Sequence, residues 1–330
     1  MPQFRQDVTT REWVIIATER AKRPDQFKSK DPKKEPPEHN PDCPFCAGNE
    51  SKTPPHSFLI GDEADWKVRV IPNKFAAVTP DGEPERVKKG LFRSMHGVGV
   101  AEVIVEGKKH NTTIGHNMSD DDVENILLAY QQRSLVLSRD HRLELVTLFR
   151  NHGSKAGASL EHPHSQLIAT PVVPLLLRTK LEVAQSFYDD VGSCVFCDLM
   201  NEEKQAAERM VLETEHFAAF EPFASHSPFE TWIMPKRHQA GFSAIKPEEI
   251  KDLARVLNVT LGKIYNLLGD PDYNYMIHSA PLDETYVDFY HWHIQILPRL
   301  TTAAGFELGS GMFIDVTLPE DAAKALRDIS

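Results

Sequence analysis

Read for the alternation of apolar and polar positions, the chain yields the same order of elements twice. In the first half, residues 12–17 (EWVIIA) and 66–72 are apolar runs of strand length, and 98–106 (VGVAEVIVE) is rich in β-branched residues. Ser119 followed by three acids reads as a helix start, because its hydroxyl can cap the free amides and negative charge suits the helix N-terminus. Val123, Ile126, Leu127, Tyr130 and Leu137 follow at helical spacing, and 143–149 is again a strand. Pro171 and Pro174 interrupt the pattern, after which 175–188 reads as a helix. The second half gives strands at 217–222 and 231–235, a helix over 247–268, strands at 273–278 and 290–298, and a capped C-terminal helix in PEDAAKALRDIS. Residues 28–42, proline-rich and charged without periodicity, read as loop or disorder.

Chemistry-bearing residues sit at matching places in both halves. Each half has a C-x-x-C pair (Cys43 and Cys46; Cys194 and Cys197), a histidine just past a strand end (His110; His238), a helix, a strand, and then H-x-H-x-Q (His162 to Gln166; His291 to Gln295). Two such orders are improbable by chance and indicate an internal duplication. The fold class expected is α+β, with two tandem units, 1–171 and 172–330, each a mostly antiparallel sheet with packed helices. A length of 330 residues agrees with two domains or one duplicated unit.

All four cysteines fall in the two pairs. Paired thiols with many histidines downstream, in a chain without a secretion signal, read as metal ligands. Zinc closes a structural site with four thiolate or imidazole ligands, so each pair needs two histidines. His96, His110 and His116 compete for that role in the first half, and His216, His226 and His238 in the second.

The stretch 151–170, NHGSKAGASLEHPHSQLIAT, combines a small-residue loop carrying one cation, Lys155, with an apolar run bearing His162, His164 and Gln166. On a strand these three share a face. Loop amides and a lysine can cradle phosphate, and a neutral imidazole can attack phosphorus near pH 7. One of the two histidines is therefore expected to be the nucleophile. The corresponding loop of the second half carries Asp283, Glu284 and Asp288, which would repel a phosphate. Only the first copy is expected to react.

A formal net charge of −11 argues against nucleic acid or an anionic membrane as the main partner. The locally basic segment 20–34 suits a phosphorylated small molecule instead. Apolar runs such as 172–177 are too short to span a bilayer, and the N-terminus has no apolar signal region, so a cytoplasmic protein is expected.

HPHSQ in this setting resembles the histidine-triad superfamily, and within it the galactose-1-phosphate uridylyltransferases and the related ADP-glucose phosphorylases. The resemblance extends over nearly the whole chain through ERAKRP, CPFC, VIPNKF, MPKRH, HWHIQ and GFELGSGM. Glutamine at the third triad position, Gln166 and Gln295, marks the transferase branch. The resemblance implies that His164 carries a nucleotidyl intermediate, with Gln166 hydrogen-bonding the transferred group. It implies two structural zinc ions, one on Cys43, Cys46, His110 and His162, the other on Cys194, Cys197, His238 and His291. Arg20, Arg23, Asn73, Asn151, Lys155, Gly157, Ala158 and Ser159 would hold the nucleotide and its phosphates. The lysine, tyrosine and glutamate by which the uridylyltransferases contact the hexose are replaced by Gly305, Ser310 and Gly311, with Gly305 and Phe306 left to line the sugar pocket. The substrates implied are a nucleotide sugar and a sugar 1-phosphate, in a homodimer with sites between subunits. UDP-glucose with a hexose 1-phosphate is the leading pair, and an ADP-sugar with inorganic phosphate the near alternative. A non-catalytic, zinc-stapled nucleotide-binding protein is the reading from another class.

Overall fold

The computed structural model describes residues 1–17, 27 and 35–329, the side chain of Glu284 excepted. Arg20, Arg23 and the rest of 18–26, together with residues 28–34, lie outside the described residues. The first half forms β1 (Gln3–Gln6), β2 (Trp13–Ile16), β3 (Phe58–Ile60), β4 (Val68–Pro72), β5 (Arg86–Lys89), β6 (Phe92–Met95), β7 (Val100–Val105), α1 (Asp120–Leu137), β8 (Leu145–His152) and β9 (His164–Thr170). The second forms α2 (Leu175–Val191), α3 (Val195–Ala206), β10 (Met210–Glu213), β11 (Phe217–Phe220), β12 (Thr231–Pro235), α4 (Pro247–Leu268), β13 (Tyr273–His278), β14 (His293–Pro298), α5 (Gly305–Ser310), β15 (Ile314–Asp315) and α6 (Pro319–Asp328).

The fold is α+β, and ten strands form one antiparallel sheet in the order β10-β11-β12-β14-β13-β8-β9-β7-β4-β3. Taken outward from its centre, the sheet repeats itself: β8-β9-β7-β4-β3 one way and β13-β14-β12-β11-β10 the other. The two halves meet where β8 pairs with β13, Asn151 opposite Asn274. The duplicated units therefore share one sheet rather than facing each other across a linker.

The two faces of the sheet differ. On one, α1 and α4 pack together over the sheet, with Ile104, Leu148, Leu167, Ile233, Ile277 and Ile294 beneath them. The cap of α1 is as expected: Ser119 Oγ accepts from Asp122 N at 3.2 Å, and Asp122 accepts from Ser119 N at 2.9 Å. The helix α4 starts with Pro247 at its first position and ends at Gly269, φ +72°. On the other face, α2 and α3 cover only the second half, burying Phe220, Trp232 and Met234 against Leu177, Leu181 and Phe196. Among the described residues no helix covers the first half of that face, and a cleft lies there.

Both H-x-H-x-Q strands begin later than expected, at His164 and His293, so His162 lies in the bend before β9 and His291 in the irregular segment before β14. Pro163 supplies the reason in the first case: it has no N–H to give to the ladder, although its carbonyl accepts from Glu106 N at 3.1 Å. The sharing of one strand face thus holds for His164 and Gln166 but does not extend to His162. The helices α3 and α5, and the short strands β1, β3, β5, β6, β10 and β15, are additions to the sequence reading.

Candidate functional site

One row of residues crosses the sheet from end to end: Ile71, Val103, Gln166, Phe149, Met276, Gln295, Trp232 and Phe220 stand opposite one another in register. Side chains of such a row project from the same face. Gln166 and His164 therefore face the same side as Gln295 and His293, and their surroundings can be compared position by position.

In the first half, His164 lines a cavity of about 330 Å³ bounded by the CPFC loop, Val103, Gln166, residues 73–75 and Leu160. Its Nδ1 donates to the His162 carbonyl at 2.8 Å, which leaves Nε2 with the lone pair. Burial pushes the His164 pKa below its ordinary value, partly opposed by that hydrogen bond. A neutral imidazole with a fixed tautomer at the edge of a cleft has the chemistry that a nucleophile requires.

Cys43, Cys46, His110 and His162 are all buried, with their ligand atoms within 4.8 Å of one another. Cys46 Sγ lies 3.5 Å from Nδ1 of both histidines. His162 Nε2 donates to Gly107 O at 2.9 Å, which turns its other nitrogen toward the thiols. Burial holds the His162 pKa down to about 4, so the ring offers a lone pair near neutral pH. The donor set fits a structural zinc ion. Phe45, between the two cysteines, packs edge-on against His164 with ring centroids 5.4 Å apart, so the same loop that carries the thiols forms a wall of the cleft.

The loop after β8 is tightly bound to itself and to the second half. Gly153 has φ +82° and Gly157 φ +88°, conformations that glycine adopts without strain. The amides of Ala156 and Ala158 donate to Gly153 O, that of Gly157 to Ser154 O, and that of Lys155 to Asp272 Oδ2 at 2.6 Å. The Lys155 side chain is exposed, as are Gly157 and Ser159, whereas Ala158 is half-buried. Asn73 and Ser159 line the cavity. Asn151 is held through its Oδ1 by Asn274 Nδ2 at 2.6 Å. Gly305 and Phe306 belong to the exposed helix α5 and are not part of the cavity wall.

The second half repeats the cluster of two cysteines and two histidines and fills the cleft. Cys194, Cys197, His238 and His291 converge within 4.8 Å, Cys197 Sγ lying 3.2 Å from Nδ1 of each histidine. His238 Nε2 donates to Val287 O at 2.7 Å, an orienting bond to a carbonyl that in the first half is made by His162 rather than by His110, the residue matching His238. His293 is fully buried, stacked between Trp232 and His278 at centroid distances of 4.5 and 4.8 Å. Lys180 Nζ closes on its Nε2 at 3.4 Å. Gln295 is bound on both ends, accepting from His278 Nε2 at 2.8 Å and donating to Glu230 Oε1 at 2.6 Å. No space remains beside His293 for a phosphorus. Sequence reasoning expected charge repulsion to silence this copy, and missed Trp232, His278 and Lys180. It also missed Phe45, Asp272 and Asn274, none of which carries a motif signal of its own.

Comparison with known proteins agrees with this architecture. The family described as "Galactose-1-phosphate uridyl transferase" matches through its N-terminal domain at residues 1–174 and its C-terminal domain at 180–330. An ADP-glucose phosphorylase of Arabidopsis thaliana is 36% identical over 100% of this chain and 93% of its own. A galactose-1-phosphate uridylyltransferase of Thermotoga maritima is 33% identical over 99% of this chain and 98% of its own. Among solved structures, an Arabidopsis thaliana ADP-glucose phosphorylase with bound ADP-glucose aligns over 100% of both chains at 32% identity and a TM-score of 0.85. A uridylyltransferase mutant aligns over 99% of this chain and 98% of its own at 28% identity and a TM-score of 0.77.

Proposed function

The chain belongs to the galactose-1-phosphate uridyl transferase family, whose members are nucleotidyltransferases, and from that premise we propose a two-step nucleotidyl transfer through His164. His164 Nε2 attacks the α-phosphorus of a nucleoside diphosphate sugar. An N–P bond forms, the bond from that phosphorus to the bridging oxygen breaks, and sugar 1-phosphate leaves with the electron pair. A second phosphate then attacks the same phosphorus and restores the imidazole. Neither step needs a separate base, because the imidazole attacks as the neutral form and the acceptor is already an anion. The observation that carries the reading is His164 itself, with Nδ1 committed to a carbonyl at 2.8 Å and its ring on a cleft.

Gln166, one alternation along β9, hydrogen-bonds the transferred phosphoryl group. Asn73, Asn151, Lys155, Gly157, Ala158 and Ser159 surround the nucleotide, with Arg20 and Arg23 brought to the phosphates, and donors placed around developing charge are commonly the largest contribution to such transfers. Gly305 and Phe306 reach a sugar only across a subunit boundary, in keeping with a homodimer. Cys43, Cys46, His110 and His162 would hold one zinc ion and Cys194, Cys197, His238 and His291 another. An ion held there would tie the CPFC loop to the bend before β9. The two units we assign are 1–171 and 172–330. No described helix is long and apolar enough to cross a membrane, and cytoplasmic residence is part of the proposal.

The leading substrates are UDP-glucose and a hexose 1-phosphate. An ADP-sugar with inorganic phosphate as acceptor is the second reading, favoured by the 36% identity to a phosphorylase over the whole chain. Incubation with UDP-glucose or ADP-glucose, followed by intact mass at neutral pH to protect the acid-labile N–P bond, decides between them. The expected result is one added UMP or AMP that His164→Ala abolishes. No increment from either donor in zinc-loaded protein would overturn the transfer reading.

A further inference from the structure

Asn151 is level with His164 across β8 and β9, since Arg150 stands opposite Ser165, and paired Cβ atoms of this kind lie ~4.5–5.5 Å apart on one face. Which end of its amide meets the cleft is decided in the other half of the protein. Asn274, buried and opposite Asn151 on β13, donates from Nδ2 to Asn151 Oδ1 at 2.6 Å and to Ala156 O at 2.9 Å. Its Oδ1 accepts from Arg299 Nε.

A primary amide by itself has no fixed end, and its orientation follows from its partners. A guanidinium has donors and no acceptor. Arg299 therefore takes the oxygen of Asn274 and leaves only the nitrogen for the other side. That nitrogen takes the oxygen of Asn151. The Asn151 nitrogen is left over as a donor, on the side of Gly157, where a Cβ would stand 4.0 Å from it. Arg299 on the oxygen and the Ala156 carbonyl on the nitrogen thus set the polarity of two amides in succession.

The geometry points to Asn274 and Arg299 as positioning residues that hold Asn151 with its NH₂ group, rather than its carbonyl, toward the phosphate meeting His164. The inference rests on the transfer reading above. A donor in that place binds a non-bridging phosphate oxygen, and strengthens its bond as negative charge gathers there. A carbonyl in that place would meet the same oxygen lone pair to lone pair.

Asn274→Asp and Asn274→Leu are close in size and differ in what they ask of Asn151. The carboxylate keeps Arg299 and can only accept, so it turns Asn151 to donate backward and present its oxygen to the cleft. The leucine leaves Asn151 free to choose. Single-turnover adduct formation with UDP-glucose and ADP-glucose, on protein with matched zinc content and known Tm, is expected to slow about 100-fold for Asn274→Asp and about 10-fold for Asn274→Leu. A merely structural role predicts rates that follow Tm whatever the charge. Asn274→Asp reacting as fast as Asn274→Leu, or faster, overturns the inference while leaving the transfer reading intact. Wild-type protein that forms no adduct overturns both.

Arg299 is exposed, so a second pair keeps the test open should Asn274→Asp fail to fold. Arg299→Met, which leaves the Ala156 carbonyl as the one remaining restraint on the Asn274 amide, is expected to slow adduct formation about threefold, and Arg299→Lys, still a pure donor, to restore most of the rate. Wild-type rates in Arg299→Met would overturn the assignment of Arg299 as a positioning residue.

Discussion

Trp232 holds the register position in the second half of the sheet that Val103 holds in the first: Val103 stands opposite Gln166, Trp232 opposite Gln295. Where valine leaves a cleft beside His164, the indole stacks on His293 at 4.5 Å. By the same correspondence His278 takes the place of Asn151, one step along from the Met276 and Phe149 pair. Two substitutions on a shared framework therefore separate a histidine that faces a cavity from one that is a core residue.

The first prediction follows from that separation. His164→Ala is expected to abolish the nucleotidyl adduct with little change in Tm. His293→Ala should keep adduct formation within about threefold of wild type and lose ~2–4 kcal/mol of stability, because it empties a stacked, fully buried position. Intact mass and thermal unfolding on both variants check it. Adduct loss in both would make the two halves functionally equivalent.

The metal clusters should show the same asymmetry. Metal analysis is expected to give two zinc ions per chain, falling to one in Cys46→Ser and in Cys197→Ser. Phe45 meets His164 from the loop between Cys43 and Cys46, so Cys46→Ser should also lower adduct formation by at least about 100-fold, small displacements of a reacting group being costly. Cys197→Ser, remote from the cleft, is expected to lower Tm chiefly. Equal losses of activity would place the ions' influence elsewhere.

Acid stability offers a third test. His278 is half-buried, and desolvation of its ring first, then the Lys180 charge, holds its pKa down to about 3. Unfolded, it titrates near 6.5. The fold therefore excludes a proton that the unfolded chain accepts, and the stability associated with neutral His278 is complete above pH ~6.5 and falls as pH drops toward about 3, by up to ~1.4 kcal/mol per pH unit. His278→Asn, which installs the residue of the first half, should flatten Tm against pH between 6.5 and 4. Curves parallel to wild type in that interval would remove His278 as the source.

Much of this was legible in the chain. The repeated C-x-x-C and H-x-H-x-Q, the caps of α1 and the strand runs of β7, β8 and β13 follow from local pattern, and the two ligand sets come together from residues as far apart as Cys43 and His162. What stayed hidden is cross-strand in nature. Lys180 looked like one more polar residue on an amphipathic helix, yet it is buried against His293. Asp272 and Asn274 acquire their roles only when β13 pairs with β8, a register that one sequence read along its length does not display. The short edge strands β3 and β10 lack the length for periodicity to show.

Gly153 carries the last prediction. Its φ of +82° lies where a side chain is strained, and a Cβ built there would sit 2.2 Å from the Asp272 carboxylate that receives the Lys155 amide. Gly153→Ala must therefore move either the loop or Asp272, and Asp272 is buried and tied to the second half. The loop is the part that can yield, and its displacement would carry residues 154–159 away from His164. The expected result is a loss of ~1–3 kcal/mol in stability together with a rise in the donor KM of about 10-fold or more. Asp272→Ala combined with Gly153→Ala relieves the clash but not the strained φ, so it should recover part of the stability and little of the binding. Recovery of both would show that the clash alone mattered, and that the loop needs no anchor from the second half.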